Sequence, residues 1–205
     1  FGDWVYFYHN DAKKREEIYG KEEKLEGNVK EYHFGGDGIA WDEVQNPKVS
    51  SETMYKDGYK DGIHKEWKSD GTVLRKGKYS LDMKEGKWEY YHESDDGKTS
   101  NLRLRVHFQK DKKVGKSIEY YKNGNLKESK IYDRLGKLHG DYEEYFVSGT
   151  IRAKGNMRGD EMEGKWNFYY HNEQKEMELE LKQGVPVGNV KIWFDNGTLK
   201  KEIQI

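Results

Sequence analysis

The side chains of this sequence that could do chemistry are seven histidines, His9, His33, His64, His92, His107, His139 and His171, set among 38 acidic and 37 basic residues with no cysteine. Without cysteine there are no disulfides, no thiolate metal ligands and no thiol nucleophiles, and either redox compartment stays open. The histidines do not fall into ligand spacing. His33 and His92 each stand six positions after a glycine, but Lys68 holds that place between them, so no metal site is expected. The nucleophile elbow, the zinc-protease helix and the phosphate loop are all missing from the chain. Gly35-Gly36-Asp37-Gly38 lacks the strand-to-helix context of a phosphate cradle and reads as a loop. Asp95-Asp96-Gly97 supplies too few ligands for a calcium loop and reads as a turn. Arg158-Gly159-Asp160, the integrin-type tripeptide, also falls in an expected turn. The expectation is a protein that is not an enzyme and carries no cofactor.

Aromatic spacing is the stronger signal. Gly2, Gly27, Gly62, Gly86, Gly115, Gly140, Gly164 and Gly188 are each followed five positions later by a ring: Phe7, Tyr32, Trp67, Tyr91, Tyr120, Tyr145, Tyr169 and Trp193. Successive glycines stand 24 or 25 residues apart, apart from intervals of 35 and 29. A fixed period of this length marks a repeat array, and stacked repeats present long surfaces that hold partners. The array is expected to fill residues 1–205 as a single domain, with insertions in repeat two near 35–51 and in repeat four near 92–101.

Each repeat reads as two strands and two turns. Ser117-Ile118-Glu119-Tyr120-Tyr121 is rich in strand formers, Asn123-Gly124 signals a hairpin of type I′, and a second strand runs from Leu126 to Tyr132. The same grammar recurs at Asp70-Gly71, Asp96-Gly97 and Asn196-Gly197, and a second turn at Asp57-Gly58 and Gly184. Two-residue and three-residue loops both give plausible registers. The fold expected is all-β: an elongated antiparallel β-meander of about eight 24-residue β-hairpin repeats, which sixteen strands at ~4.8 Å spacing would extend to roughly 70 Å. Alternation puts positions two, four and six after the glycine on one face, as Trp166, Phe168 and Tyr170, and the fifth position on the other. Fifth-position rings of neighbouring repeats are therefore expected to form a ladder, either as structure or as a binding surface.

Composition is unusually polar: 33% of residues are hydrophobic and 37% charged, yet 14% are aromatic, including 16 Tyr and 6 Trp. Rings at a strict period, helped by the methylene stems of Lys, Arg and Glu, must supply the cover that aliphatic residues do not. A net charge of -1 argues against a phosphate-backbone binder, so nucleic acid is not an expected partner. No apolar run approaches the ~20 residues of a transmembrane helix. Phe1 opens inside a repeat, so residues upstream of it are expected to be missing.

Gly86-Lys87-Trp88-Glu89-Tyr90-Tyr91, Gly164-Lys165-Trp166-Asn167-Phe168-Tyr169-Tyr170 and the run from Tyr120 to Glu128 resemble the MORN-repeat variant common in bacterial proteins. The resemblance is clear in repeats five to eight. It weakens in repeat two, and in repeat three, where His64 holds the usual aromatic position. Chains of this type resemble a family described as the antitoxin component of toxin–antitoxin modules, and related arrays occur in surface proteins and lipoproteins. The resemblance implies a protein-binding scaffold, an antitoxin or immunity protein that covers a partner toxin. That would be cytoplasmic; a structural or adhesive envelope protein is the second reading, and a glycan-binding module the third.

For a protein partner, the residues singled out are Trp41 and Ile39 in the repeat-two insertion, with Trp67, Tyr91 and Tyr120. Phe7, Tyr32, Tyr145, Tyr169 and Trp193 are assigned to the structural ladder. Insertions on one face of an array often carry binding, and an isolated Trp on a polar loop has the character of an interface anchor. Trp41 could equally fold back to cover repeat two.

Overall fold

The computed structural model describes residues 2–34, 47–93 and 100–205. The inserted residues Ile39 and Trp41, the Gly35–Gly38 loop and Asp95–Gly97 lie outside the described residues. The strands of the first four repeats are β1 (Gly2–Phe7), β2 (Lys13–Tyr19), β3 (Gly27–Tyr32), β4 (Val49–Lys56), β5 (Tyr59–Trp67), β6 (Val73–Ser80), β7 (Met83–Tyr91) and β8 (Leu102–Gln109). The last four contribute β9 (Lys112–Tyr120), β10 (Leu126–Tyr132), β11 (Leu138–Tyr145), β12 (Ile151–Arg158), β13 (Glu161–Tyr169), β14 (Lys175–Lys182), β15 (Val185–Trp193) and β16 (Leu199–Gln204). They hydrogen-bond in sequence order as one antiparallel sheet, and the only helix among the described residues is a single 3-10 turn at Lys21–Glu23. The all-β meander is the observed fold. By contacts the chain divides into two compact units, residues 1–102 with 108–111, and residues 103–107 with 112–205.

Two turn types alternate. Between repeats the loops at Asp57-Gly58, Leu81-Asp82, Gly159-Asp160 and Gln183-Gly184 are two residues long with both φ angles positive, the type I′ geometry that suits twisted hairpins, whereas β2–β3 passes through the 3-10 turn and Asp133–Lys137 forms a three-residue loop. Within repeats the Asn-Gly turns are different, and here the sequence reading is corrected. Tyr121 N–H donates to the Asn125 carbonyl and Gly124 N–H to the Tyr121 carbonyl, and Gly124 has a positive φ of 89° while Asn123 does not. This is a three-residue loop, a type I turn closed by a left-handed glycine. The cause is the Asn123 side chain, whose Oδ1 accepts the Asn125 N–H at 3.0 Å and holds Asn123 right-handed. Asp70 and Asn196 do the same for Thr72 and Thr198.

The buried row lies at the second position of the repeat. In the C-terminal unit Tyr142 faces Gly155 across β11 and β12, Trp166 faces Leu179 across β13 and β14, and Val190 faces Ile203 across β15 and β16. Trp166 is 1% exposed, and its Nε1–H donates to the Asn156 carbonyl. Its indole lies flat on Gly155, where a Cβ would stand 2.3 Å from the ring. In the N-terminal unit Trp88 covers Gly77 in the same way and donates to the Lys78 carbonyl.

The expected fifth-position ladder does not form as ring on ring. Neighbouring fifth positions are two strands apart, about 10 Å, beyond the 4.5–7 Å of ring contact. The strand between them supplies a cation or a carboxylate instead. Lys154 sits 5.8 Å from the Tyr169 ring centre and Lys175 5.4 Å from that of Trp193. The Tyr32 hydroxyl donates to Glu16 of β2, that of Tyr145 donates to Glu143 of its own strand, and Phe7 is 56% exposed. Second-position rings do meet across two strands, Tyr142 and Trp166 at 5.5 Å, because Gly155 leaves no side chain between them.

Repeats are also tied laterally through backbone groups. The sixth-position hydroxyls of Tyr8, Tyr121 and Tyr170 donate to the fifth-position carbonyls of the next repeat, Tyr32, Tyr145 and Trp193. In the inter-repeat turns, Asp82 and Asp160 each exchange a backbone bond and a side-chain bond with the start of the preceding odd strand, at Lys60 and Leu138. The Arg158-Gly159-Asp160 tripeptide is accordingly part of a turn whose aspartate caps Leu138.

Truncating Trp166 to Ala should cost about 3–5 kcal/mol, and Gly155→Ala about 1–3 kcal/mol by overpacking under the indole. Tyr145→Ala, at a half-buried fifth position, should cost less than either Trp166→Ala or Trp88→Ala in urea denaturation. A Tyr145 loss equal to the Trp166 loss would return the core to the fifth-position column.

Candidate functional site

Alternation that buries an apolar row in the C-terminal unit buries polar groups in the N-terminal one. The equivalent second-position row of the N-terminal unit contains Val29, Thr53, His64, Gly77 and Trp88, with Val29 facing Thr53, Thr53 facing His64 and His64 facing Gly77. His64 stands where Trp88 and Trp166 stand in their repeats, and its imidazole is far smaller than an indole. Alongside runs a fourth-position row in which Arg15 faces Glu31, Glu31 faces Ser51, Ser51 faces Glu66 and Glu66 faces Arg75. The corresponding places of β13 and β15 are Phe168 and Ile192.

The result is a cavity of about 400 Å³ between these rows. Tyr55, Lys60 and Tyr79 close one side, and His33 and Trp67 contribute the other. Its charges are matched in place. Arg75 Nε donates to Glu66, Arg15 Nη1 donates to Glu31, and the Ser51 hydroxyl donates to the other oxygen of Glu31 at 2.9 Å. Lys60 reaches over the Tyr79 ring at 5.3 Å.

His64 is the most buried titratable group of the site, at 5% exposure. Its Nδ1 shares a 2.8 Å hydrogen bond with the Thr53 hydroxyl, and its ring packs edge-on against Tyr79. Nε2 has no hydrogen-bond partner and lies 3.8 Å from the Glu66 carboxylate. Burial pushes the imidazole down to about 4, with the positive charge of Arg75 acting in the same direction and Glu66 opposing. The ring is neutral near pH 7.

Of the residues singled out from sequence, Trp67 alone reaches this cavity, and its carbonyl accepts a 3.0 Å bond from His33 Nε2. Tyr91 is half-buried at the end of β7, under Lys76 and with its hydroxyl toward Glu89. Tyr120 is half-buried at the end of β9, in the other unit. Trp41 and Ile39 lie outside the described residues. Sequence reading missed Glu31, Thr53, Tyr55, Glu66, Arg75 and Tyr79 as a group. The available signal was His64 and Glu66 at positions that carry rings in repeat seven.

The MORN repeat variant family model matches residues 113–137 and 186–205, supporting a MORN-repeat protein, and such repeats are in general protein- or membrane-binding motifs. No curated protein matches the chain. No helix of the described residues is long and apolar enough to cross a membrane.

The His64 environment has a pH consequence. A folded-state value of about 4 lies below the ordinary ~6.5, so the unfolded chain takes up the proton first. The stability held in neutral His64 is complete above pH ~6.5 and is lost as pH falls toward the folded value. Denaturation midpoints should fall between pH 6.5 and 4.5, and His64→Gln should flatten that interval. Glu16 and Glu178, held below the usual carboxylate value by hydrogen bonds from Lys13 and Lys175, act at lower pH. An unchanged profile in His64→Gln would mean that His64 is not desolvated.

Proposed function

We propose that the chain is a non-catalytic, protein-binding repeat scaffold, an antitoxin or immunity protein that covers a partner toxin. The observation that carries the binding reading is the face bearing the third and fifth positions. There Glu143 faces Lys154, Glu178 faces Lys191, and Lys191 faces Glu202, so opposite charges alternate across successive strands. Among them stand half-exposed rings clamped by lysine, Tyr169 by Lys154 and Trp193 by Lys175, and within the N-terminal unit Lys76 holds Tyr91 in the same way. A ring already held in place loses little rotamer entropy on docking, and aromatic anchors dominate protein interfaces. Alternating charges give such a surface specificity rather than a general pull on anions. A near-neutral net charge supports a protein partner over nucleic acid. The antitoxin reading within that class is supported by the likeness of repeats five to eight to bacterial MORN variants.

Affinity capture from cells with the whole chain as bait, followed by mass spectrometry, should return one dominant partner whose toxicity the chain suppresses on co-expression. Trp41→Ala, Tyr91→Ala and Tyr120→Ala should each be measured against that partner. An anchor loses about 2 kcal/mol or more of binding with the melting temperature nearly unchanged. A fall in melting temperature with affinity intact would assign that side chain to the fold, and a captured partner with no toxic activity would remove the antitoxin reading while leaving the scaffold.

A further inference from the structure

The His64 cavity is not used by the protein-binding face. We propose that it is a binding site for a neutral polyhydroxylated ligand, a mono- or disaccharide. Four features of the cavity lead there.

The first is the unpartnered imidazole. His64 is only 5% exposed, and Nε2 has no hydrogen-bond partner although a carboxylate stands 3.8 Å away. A buried polar atom left unpaired costs free energy that a ligand hydroxyl between Nε2 and Glu66 would recover. Either tautomer serves, because a sugar hydroxyl donates and accepts.

Charge is the second. The lining carboxylates Glu31 and Glu66 are balanced by the lining cations Lys60 and Arg75, and Arg15 outside the lining is shared between Glu31 and Glu17, so the site presents fixed charged groups without a net charge. A phosphate would be set beside Glu31 and Glu66, and a bare cation beside Arg75, each against a like charge. An apolar guest would leave His64 Nε2 unsatisfied. A neutral molecule dense in hydroxyls meets none of these objections, and hydrogen bonds to charged groups are the stronger kind.

Third, the polar row is flanked by the rings of Tyr55 and Tyr79. Sugars have apolar C–H faces as well as hydroxyl edges, and rings beside fixed polar groups match both surfaces. Fourth, a volume of about 400 Å³ lies within the range of small-molecule sites.

The C-terminal unit supplies the control that fills the space. A Thr53→Gly/His64→Trp double variant recreates the pairing of Gly155 with Trp166, placing an indole where the cavity is. Glu66→Gln removes one carboxylate without changing volume. The intact chain and both variants would be titrated with glucose, galactose, mannose, N-acetylglucosamine, maltose and lactose by calorimetry and by saturation-transfer NMR, with inorganic phosphate and a neutral dipeptide as comparison probes. At least one sugar should bind saturably to the intact chain, at least tenfold more weakly to Glu66→Gln, and not measurably to the double variant. No sugar binding, binding of phosphate or dipeptide in place of every sugar, or sugar binding that survives in both variants would each overturn the proposal. Should the double variant fail to fold, Glu66→Gln alone decides. The protein partner is read in a separate capture experiment, so loss of the sugar site leaves the scaffold reading standing, and the reverse.

Discussion

An indole lying flat on a glycine of the neighbouring repeat is the interaction on which the rest of this structure depends. Two strands cannot bury a large side chain alone, and the described residues form one sheet with a single short helical turn to lay upon it. Cover must therefore come from side chains of the same face. Trp166 over Gly155 and Trp88 over Gly77 solve this by removing the intervening side chain. Each ring then spreads over backbone and reaches the next row, as Tyr142 and Phe168 do around Trp166 at 5.5 and 6.0 Å. Aliphatic neighbours complete the cluster with Leu179, Leu181 and Val190. This is how a chain with only 33% hydrophobic residues can order so many strands.

Strand number, order and approximate limits were legible from the glycine period, because each anchor glycine sits in an odd strand and each Gly-containing turn ends a hairpin. Finer geometry was not. Asn123-Gly124 carries the same letters in a type I′ turn and in the three-residue loop observed, and the Asn123 hydrogen bond that decides between them is not visible in the letters. A ring constant in type at the fifth position suggests a ladder of rings in contact. Spacing across a sheet says otherwise: two strands separate those rings, and lysines fill the gap. Gly77 and Gly155 passed as ordinary strand residues, since only a register shows what rests on them.

The same logic explains why the candidate site was half legible. His64 was visible as a departure from the aromatic pattern. Its consequence needed the pairing of Thr53, His64 and Gly77, which brings a smaller ring to a place built for a larger one. Glu31 comes from β3 and Glu66 and Arg75 from the β5–β6 hairpin, and they meet only through register. One row, apolar around Trp166 and polar around His64, thus gives two outcomes from one architecture. In the first the ring closes the face; in the second the face holds a charge-matched cavity. The lysine-clamped rings and paired opposite charges lie on the other face of the strands, the surface proposed for a protein partner.

Native-state hydrogen exchange, resolved by strand, tests this account most directly. Backbone amides of β12 to β15, beneath Trp166, should be the slowest of the C-terminal unit. Within the N-terminal unit those of β6 and β7, beneath Trp88, should exchange more slowly than those of β4 and β5 around His64. Uniform protection across the repeats of a unit, or greatest protection around His64, would contradict the claim that the indole-on-glycine contacts hold the sheet together.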